Sequence, residues 1–136
     1  MRKQTHPRLH RQLGQALVET ALMMWVIITV VFFVFELGWL MYTYSVLADA
    51  ANEGVRYAIV HSGADPVGTQ AKVKAFASTS MHDVSAISVS VTPPDGTYTP
   101  PNRVRVSVTY TYIPFLPRFI TAPTIHSFAE GRMVAQ

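Results

Sequence analysis

Apolar residues fill the chain from Ala16 to Leu40 almost without interruption, and beyond that point they change rhythm instead of stopping. The first stretch is about 25 residues of mainly Leu, Met, Val, Ile and Phe, where about 20 suffice to cross a bilayer. No charged residue occurs from Thr20 to Phe35, and Glu36 is the single one from Thr20 to Ala48. The β-branched run Val26 to Val31 suits a buried strand in water. In lipid the backbone must satisfy its own hydrogen bonds, so a helix is predicted. Past Gly38, the residues Leu40, Val46, Leu47, Ala50, Gly54, Tyr57 and Ala58 recur at three- and four-residue spacing. Asp49, Asn52, Glu53 and Arg56 gather on the other side, with Glu53 and Arg56 three apart and able to pair. One helix over residues 15–60 is predicted, with the basic stretch 1–14 before it and Pro7 opposing an earlier start. It would be about 70 Å long at 1.5 Å per residue. Only about 30 Å of that fits in hydrocarbon, so the remainder is an amphipathic spine.

Residues 61–136 read differently. His61-Ser62-Gly63 ends the long helix, and Asp65-Pro66 opens a short one to about Ser80, with Asp65 as N-cap and Pro66 in the first turn. Ile87 to Val91 alternates as a strand and is followed by the turn cluster Pro93-Pro94-Asp95-Gly96. In the clearest strand, Val104, Val106, Val108, Tyr110 and Tyr112 face one way, while Arg103, Arg105, Ser107, Thr109 and Thr111 face the other. A third strand is predicted over Ile125 to Val134, after a loop punctuated by Pro114, Pro117 and Pro123. The fold class is therefore α+β: a long N-terminal helix, a short helix and a small antiparallel sheet of about three strands.

Composition sharpens this picture. The 136 residues are 49% hydrophobic and only 14% charged, where a soluble domain carries about a quarter charged. The net charge of +3 comes from the first 14 residues, which hold Arg2, Lys3, Arg8 and Arg11 and no acid. The rest has seven basic residues against eight acidic ones, which argues against nucleic-acid binding. With the cluster N-terminal to the span, residues 1–14 are expected in the cytoplasm and 61–136 outside it. The absence of cysteine excludes disulfides, thiolate metal sites and a catalytic cysteine. Of the five histidines only His6 and His10 are four apart, with no acid nearby, so no metal and no cofactor are expected. Serines, histidines and acids lack any G-x-S-x-G setting, and no P-loop or G-x-G-x-x-G occurs, so the chain is read as no enzyme. Tyr110, Tyr112, Phe115 and Phe119 form either a binding patch or, by default for strand aromatics, core.

The strongest local signal is Gly14-Gln15-Ala16-Leu17-Val18-Glu19, where a basic leader ends in glycine and a carboxylate stands at the fifth position after it. A carboxylate inside hydrocarbon is costly and marks a partner; the plainer alternative is that Glu19 only marks the start of the span. Glu36 and Gly38 stand at the outer end, where Gly38 either allows close helix packing or tolerates a bend. The stretch from Gly14 to Ala58, with Glu36-Leu37-Gly38 and Ala51-Asn52-Glu53-Gly54-Val55-Arg56-Tyr57-Ala58, resembles the TadE-like family of pseudopilins, minor components of tight-adherence (Flp-type) pilus systems in bacteria. The resemblance is dense over residues 14–60 and holds in outline beyond them. Thr20 stands where the family often has a bulky apolar residue, and Trp39 where arginine is common.

The resemblance implies that a membrane-embedded prepilin peptidase cuts between Gly14 and Gln15, and that Glu19 serves subunit assembly. It implies as partners that peptidase, other pilin-like subunits with their assembly machinery, and the lipid bilayer. A structural role in building an adhesive or secretory pilus is thus expected of a single-pass protein of the cell membrane. The competing expectation is a signal-anchored or secreted binding domain, released at Ala48-Asp49-Ala50, which satisfies the small-x-small rule of signal peptidase. Its apolar stretch is much longer than a 7–15-residue signal core, and that cut would destroy the amphipathic spine.

Overall fold

The computed structural model describes residues 7–61, 65–81, 83–115, 117, 118 and 120–134, with side chains from residue 14 onward. The leader charges Arg2, Lys3, Arg8 and Arg11, the His6–His10 pair, Ser62-Gly63, His82 and Phe119 lie outside the described side chains. Two units divide the chain, Met1–Gly38 and Trp39–Gln136.

Helix α1 is assigned over Pro7–Val60 and passes through both units. It starts earlier than residue 15, because proline opposes a helix only in its interior. At the first helical position its missing N–H is one that no intrahelical carbonyl would have accepted. In the first unit the apolar side chains from Leu17 to Phe35 stand outward on all sides. The two threonine hydroxyls among them are held by the helix itself. Thr20 Oγ1 donates to the Ala16 carbonyl and Thr29 Oγ1 to the Trp25 carbonyl, each at 2.9 Å. Such back-bonding leaves no hydroxyl for an apolar surrounding to solvate.

The second unit has a core. Here α1 turns one face inward, with Val46, Leu47, Ala50, Ala51, Val55 and Ala58 buried. The expected stripe is met at Val46, Leu47, Ala50, Gly54 and Ala58; Ala51 and Val55 widen it, while Leu40 and Tyr57 are only half-buried. Helix α2 spans Pro66–Ser78. Asp65 caps it, its Oδ1 accepting from the Gly68 N–H at 2.8 Å, and Thr69, Val73 and Ala77 are its buried residues.

Strands β1 (Ile87–Thr92), β2 (Arg103–Thr111) and β3 (Thr124–Arg132) form an antiparallel sheet in the order β1-β2-β3. Val104, Val106, Val108 and Tyr110 of β2 are buried, as is Tyr112 just after it. Val106, Val108, Tyr110 and Tyr112 pack with Ile125 and Ala129 of β3 and with the inner face of α1 and α2 in one apolar cluster around Leu47 and Val73, while Val104 packs with Ala58 and Met133 in a second, smaller one. Two glycines let these layers close up. A Cβ on Gly54 would stand 2.5 Å from Val73 Cγ2 and 3.2 Å from Val106 Cγ1, and one on Gly131 would stand 2.6 Å from Val55 Cγ1. The α+β architecture expected from the alternation is the one observed.

Candidate functional site

The residues singled out in the sequence lie at three places along α1. At the first, Gly14, Gln15, Val18, Glu19 and Leu22 form one exposed strip. Positions 15 and 19 are four apart, so in a helix they are separated by about 6 Å along the axis and about 40° around it. A Cβ on Gly14 would meet nothing within 4 Å. Glu19 is exposed, and among the described residues it has no hydrogen-bond or ion-pair partner. The strip thus offers a small residue, an amide side chain and a carboxylate to whatever lies outside the chain.

At the second place Glu36 is only 5% exposed, although its neighbours Phe35 and Leu37 are open. Gly38 is exposed, and a Cβ there would meet nothing within 4 Å, so no packing among the described residues demands glycine. The third place is the outer side of α1 in the second unit. Glu53 Oε2 stands 3.8 Å from Arg56 Nη1, and Glu53 Oε1 stands 3.9 Å from Lys72 Nζ of α2. These are long, partly solvated pairs of small energetic weight. Tyr57 completes that edge: its hydroxyl donates to Asp65 Oδ2 at 3.3 Å, and the His61 ring stacks on it at 3.9 Å. Burial, with the neighbouring Asp65, pushes the Tyr57 hydroxyl above its ordinary value.

Two further groupings escape the sequence patterns. On the open face of the sheet, Arg103 donates from Nη2 to Asp95 Oδ1 at 2.9 Å and from its backbone N–H to Asp95 Oδ2 at 2.8 Å. It also reaches Glu130 Oε2 at 3.2 Å, and Arg105 pairs with the same carboxylate. The Arg103 hydrogen bonds hold the Asp95 carboxyl down to about 2. The register explains Arg105 and Glu130, which are direct cross-strand partners; spacing along the chain alone does not show this. The second grouping is aromatic. Trp39 lies 5.5 Å from Tyr42 and 6.1 Å from Phe115, ring centre to ring centre. Of the four aromatics first weighed as a patch, Tyr110 and Tyr112 belong to the core and Phe115 is outside it.

No three His, Asp or Glu side chains converge as metal ligands among the described residues. The class this defines is an N-terminal helix long and apolar enough to cross a bilayer, within Gly14–Val60, carrying a small helix-and-sheet unit. The family model described as TadE-like protein matches residues 14–56, so the chain carries a TadE-like segment, of the family its sequence resembles. No curated protein and no solved structure matches the chain.

Proposed function

We propose that this protein is a minor pilin, or pseudopilin, of a tight-adherence pilus: a single-pass structural subunit that is cut after Gly14 and docked through Glu19. The observation carrying this reading is the TadE-like match itself, because residues 14–56 include the junction, the apolar helix and the start of the inward-facing spine. The apolar side chains of the first unit face outward on every side, and only lipid or neighbouring apolar helices suit such a surface. The basic residues before the span orient the leader to the cytoplasm and the sheet to the outside. A prepilin peptidase removes the leader at a residue whose lack of side chain suits a tight cleavage site. Cleavage leaves a positive amino group on Gln15, one turn from Glu19. Pairing Glu19 with the amino terminus of an adjacent subunit removes two charges from lipid together and sets the axial offset between subunits.

The binding-domain alternative is disfavoured by packing. A cut at Ala48-Asp49-Ala50 would remove Val46 and Leu47 from the core of the second unit, and Leu47 is 0% exposed. Mass spectrometry of the mature N-terminus separates the two. Gln15 is expected; a start at Asp49 or later would support the secreted domain, and Met1 a simple anchor. Gly14→Val should retain the leader, and because a Cβ at that position meets no described residue within 4 Å, the effect would report on the peptidase. Glu19→Ala should insert and be cleaved but fail to co-purify with its pilin partners. Wild-type co-purification and normal pili would remove Glu19 from assembly.

A further inference from the structure

The sheet has two ends of opposite chemistry. The β1–β2 connection carries Asp95, Thr97 and Thr99 and is polar. At the other end of β2, about 30 Å away at 3.4 Å per residue, the β2–β3 connection reads IPFLPRFI from Ile113 to Ile120. Ile113 and Phe115 are each 65% exposed, with Pro114 buried between them. The loop is pinned at its base, where the Tyr112 N–H donates to the Pro123 carbonyl at 3.0 Å. No aspartate or glutamate occurs from Tyr112 to Ala129, while Arg118 is exposed.

We infer that this loop is a second membrane contact, in which Ile113 and Phe115 enter the outer interfacial layer of the bilayer beside Trp39 and Tyr42. The inference rests on the reading that α1 spans the membrane. Trp39 and Tyr42 follow directly on the outer end of the apolar stretch, and both are about half exposed, Trp39 at 48%. Amphipathic aromatic rings collect at that level of a bilayer, with their apolar body in the acyl region and their polar atom in water. The Phe115 ring lies 6.1 Å from that of Trp39, so it shares the level of Trp39 whatever the tilt of the helix. Pro114 and Pro117 have no N–H to leave unsatisfied in a medium poor in hydrogen-bond partners. Arg118 supplies a charge of the sign that phospholipid phosphates attract, and its stem can lie along apolar surface while its head stays wet. A bilayer contact here would restrain the second unit near the membrane until the helix is extracted.

The chain has no cysteine, so single cysteines carry a nitroxide label uniquely. Ile113→Cys, Thr92→Cys at the polar end of the sheet, and Val30→Cys within the span would be made in the full chain. Each is reconstituted in phosphatidylcholine–phosphatidylglycerol liposomes at low and high protein density. Collision with oxygen reports lipid, and collision with a water-soluble nickel complex reports water. At low density the Ile113 label should favour oxygen at a depth just below the headgroups, the Thr92 label should favour nickel, and the Val30 label should read deepest. Adding Phe115→Asp to the Ile113→Cys chain should reverse its preference toward nickel. An Ile113 label as wet as the Thr92 label, with Val30 still deep, overturns the loop contact and leaves the span intact. A wet Val30 label overturns the span itself. An Ile113 label that is wet at low density but shielded from both reagents at high density means that another copy covers the loop, which also overturns the lipid contact.

Discussion

The two halves of α1 are built for different surroundings. From Leu17 to Phe35 most side chains are large and apolar, and these stand outward on every side, as in Leu22, Trp25 and Phe32. From Leu47 to Ala58 the inward face is made mostly of Ala and Gly, and the opposite face is polar. One backbone conformation serves both, so helix formation carries no information about what surrounds it. The distribution of size and polarity around the axis carries that information. A helix without a polar face requires an apolar surrounding; a helix with a narrow face of small residues requires a closely packed neighbour.

The sharpest way to break this contrast is to make the same substitution in each half. Leu47→Ala empties a fully buried site and should cost about 2–5 kcal/mol in denaturation of the second unit within the full, detergent-solubilised chain. Leu22→Ala, at a residue 64% exposed, should stay within about 0.5 kcal/mol in the same measurement. Equal losses would mean that the halves do not differ. Val30→Arg tests the first half on its own terms, since a central arginine costs about 3 kcal/mol of insertion. The membrane-associated fraction should fall sharply, while the folding of the second unit is kept. Gly54→Ala tests the second half. Helix propensity favours alanine by about 1 kcal/mol, but the added Cβ at 2.5 Å from Val73 Cγ2 should overpack the seam by about 1–3 kcal/mol. Net destabilisation is the expected sign, and a raised melting temperature would contradict the close approach.

The smallest effect belongs to the open face of the sheet. The Asp95 carboxyl is lowered from 3.8 to about 2 by Arg103. A depressed carboxylate stabilises the fold above its unfolded value and loses that contribution as pH falls through its folded one. The effect therefore fades between about pH 4 and pH 2. Asp95→Asn should have a slightly lower urea midpoint than the parent at neutral pH, and the two should converge near pH 2. Added salt should narrow the difference, because the pair is solvent-exposed.

Periodicity explains why so much of the fold was legible. The two-residue alternation of Val104 to Tyr112 and the three-and-four spacing of Leu47 to Ala58 each reflect burial on one side only. The Asp65-Pro66 pair is likewise local chemistry, since a cap needs only the first turn that it bonds. What stayed hidden depends on partners distant in the chain. Glu130 finds Arg103 and Arg105 through strand register, and Gly131 is small because Val55 and Ile59 come against it. Pro7 misled for a different reason: its effect on a helix depends on position, and a basic polar stretch gives little apolar rhythm to mark where a helix begins. The strip at Gly14, Gln15 and Glu19 stands out in the sequence because a glycine and a carboxylate interrupt an otherwise greasy run.

The seam between α1, α2 and the sheet also sets the direction in which this chain can vary. Glycine and alanine stand at the floor of side-chain volume, so at Ala50, Ala51, Gly54 and Ala58 almost every replacement is an addition. The outward residues of the first half have no such floor beneath them and can shrink, grow or exchange places while remaining apolar. Across a library of single substitutions, tolerance in the second half should therefore track volume, and tolerance in the first should track polarity. One helix would then show two separate rules of permitted change, meeting near Gly38.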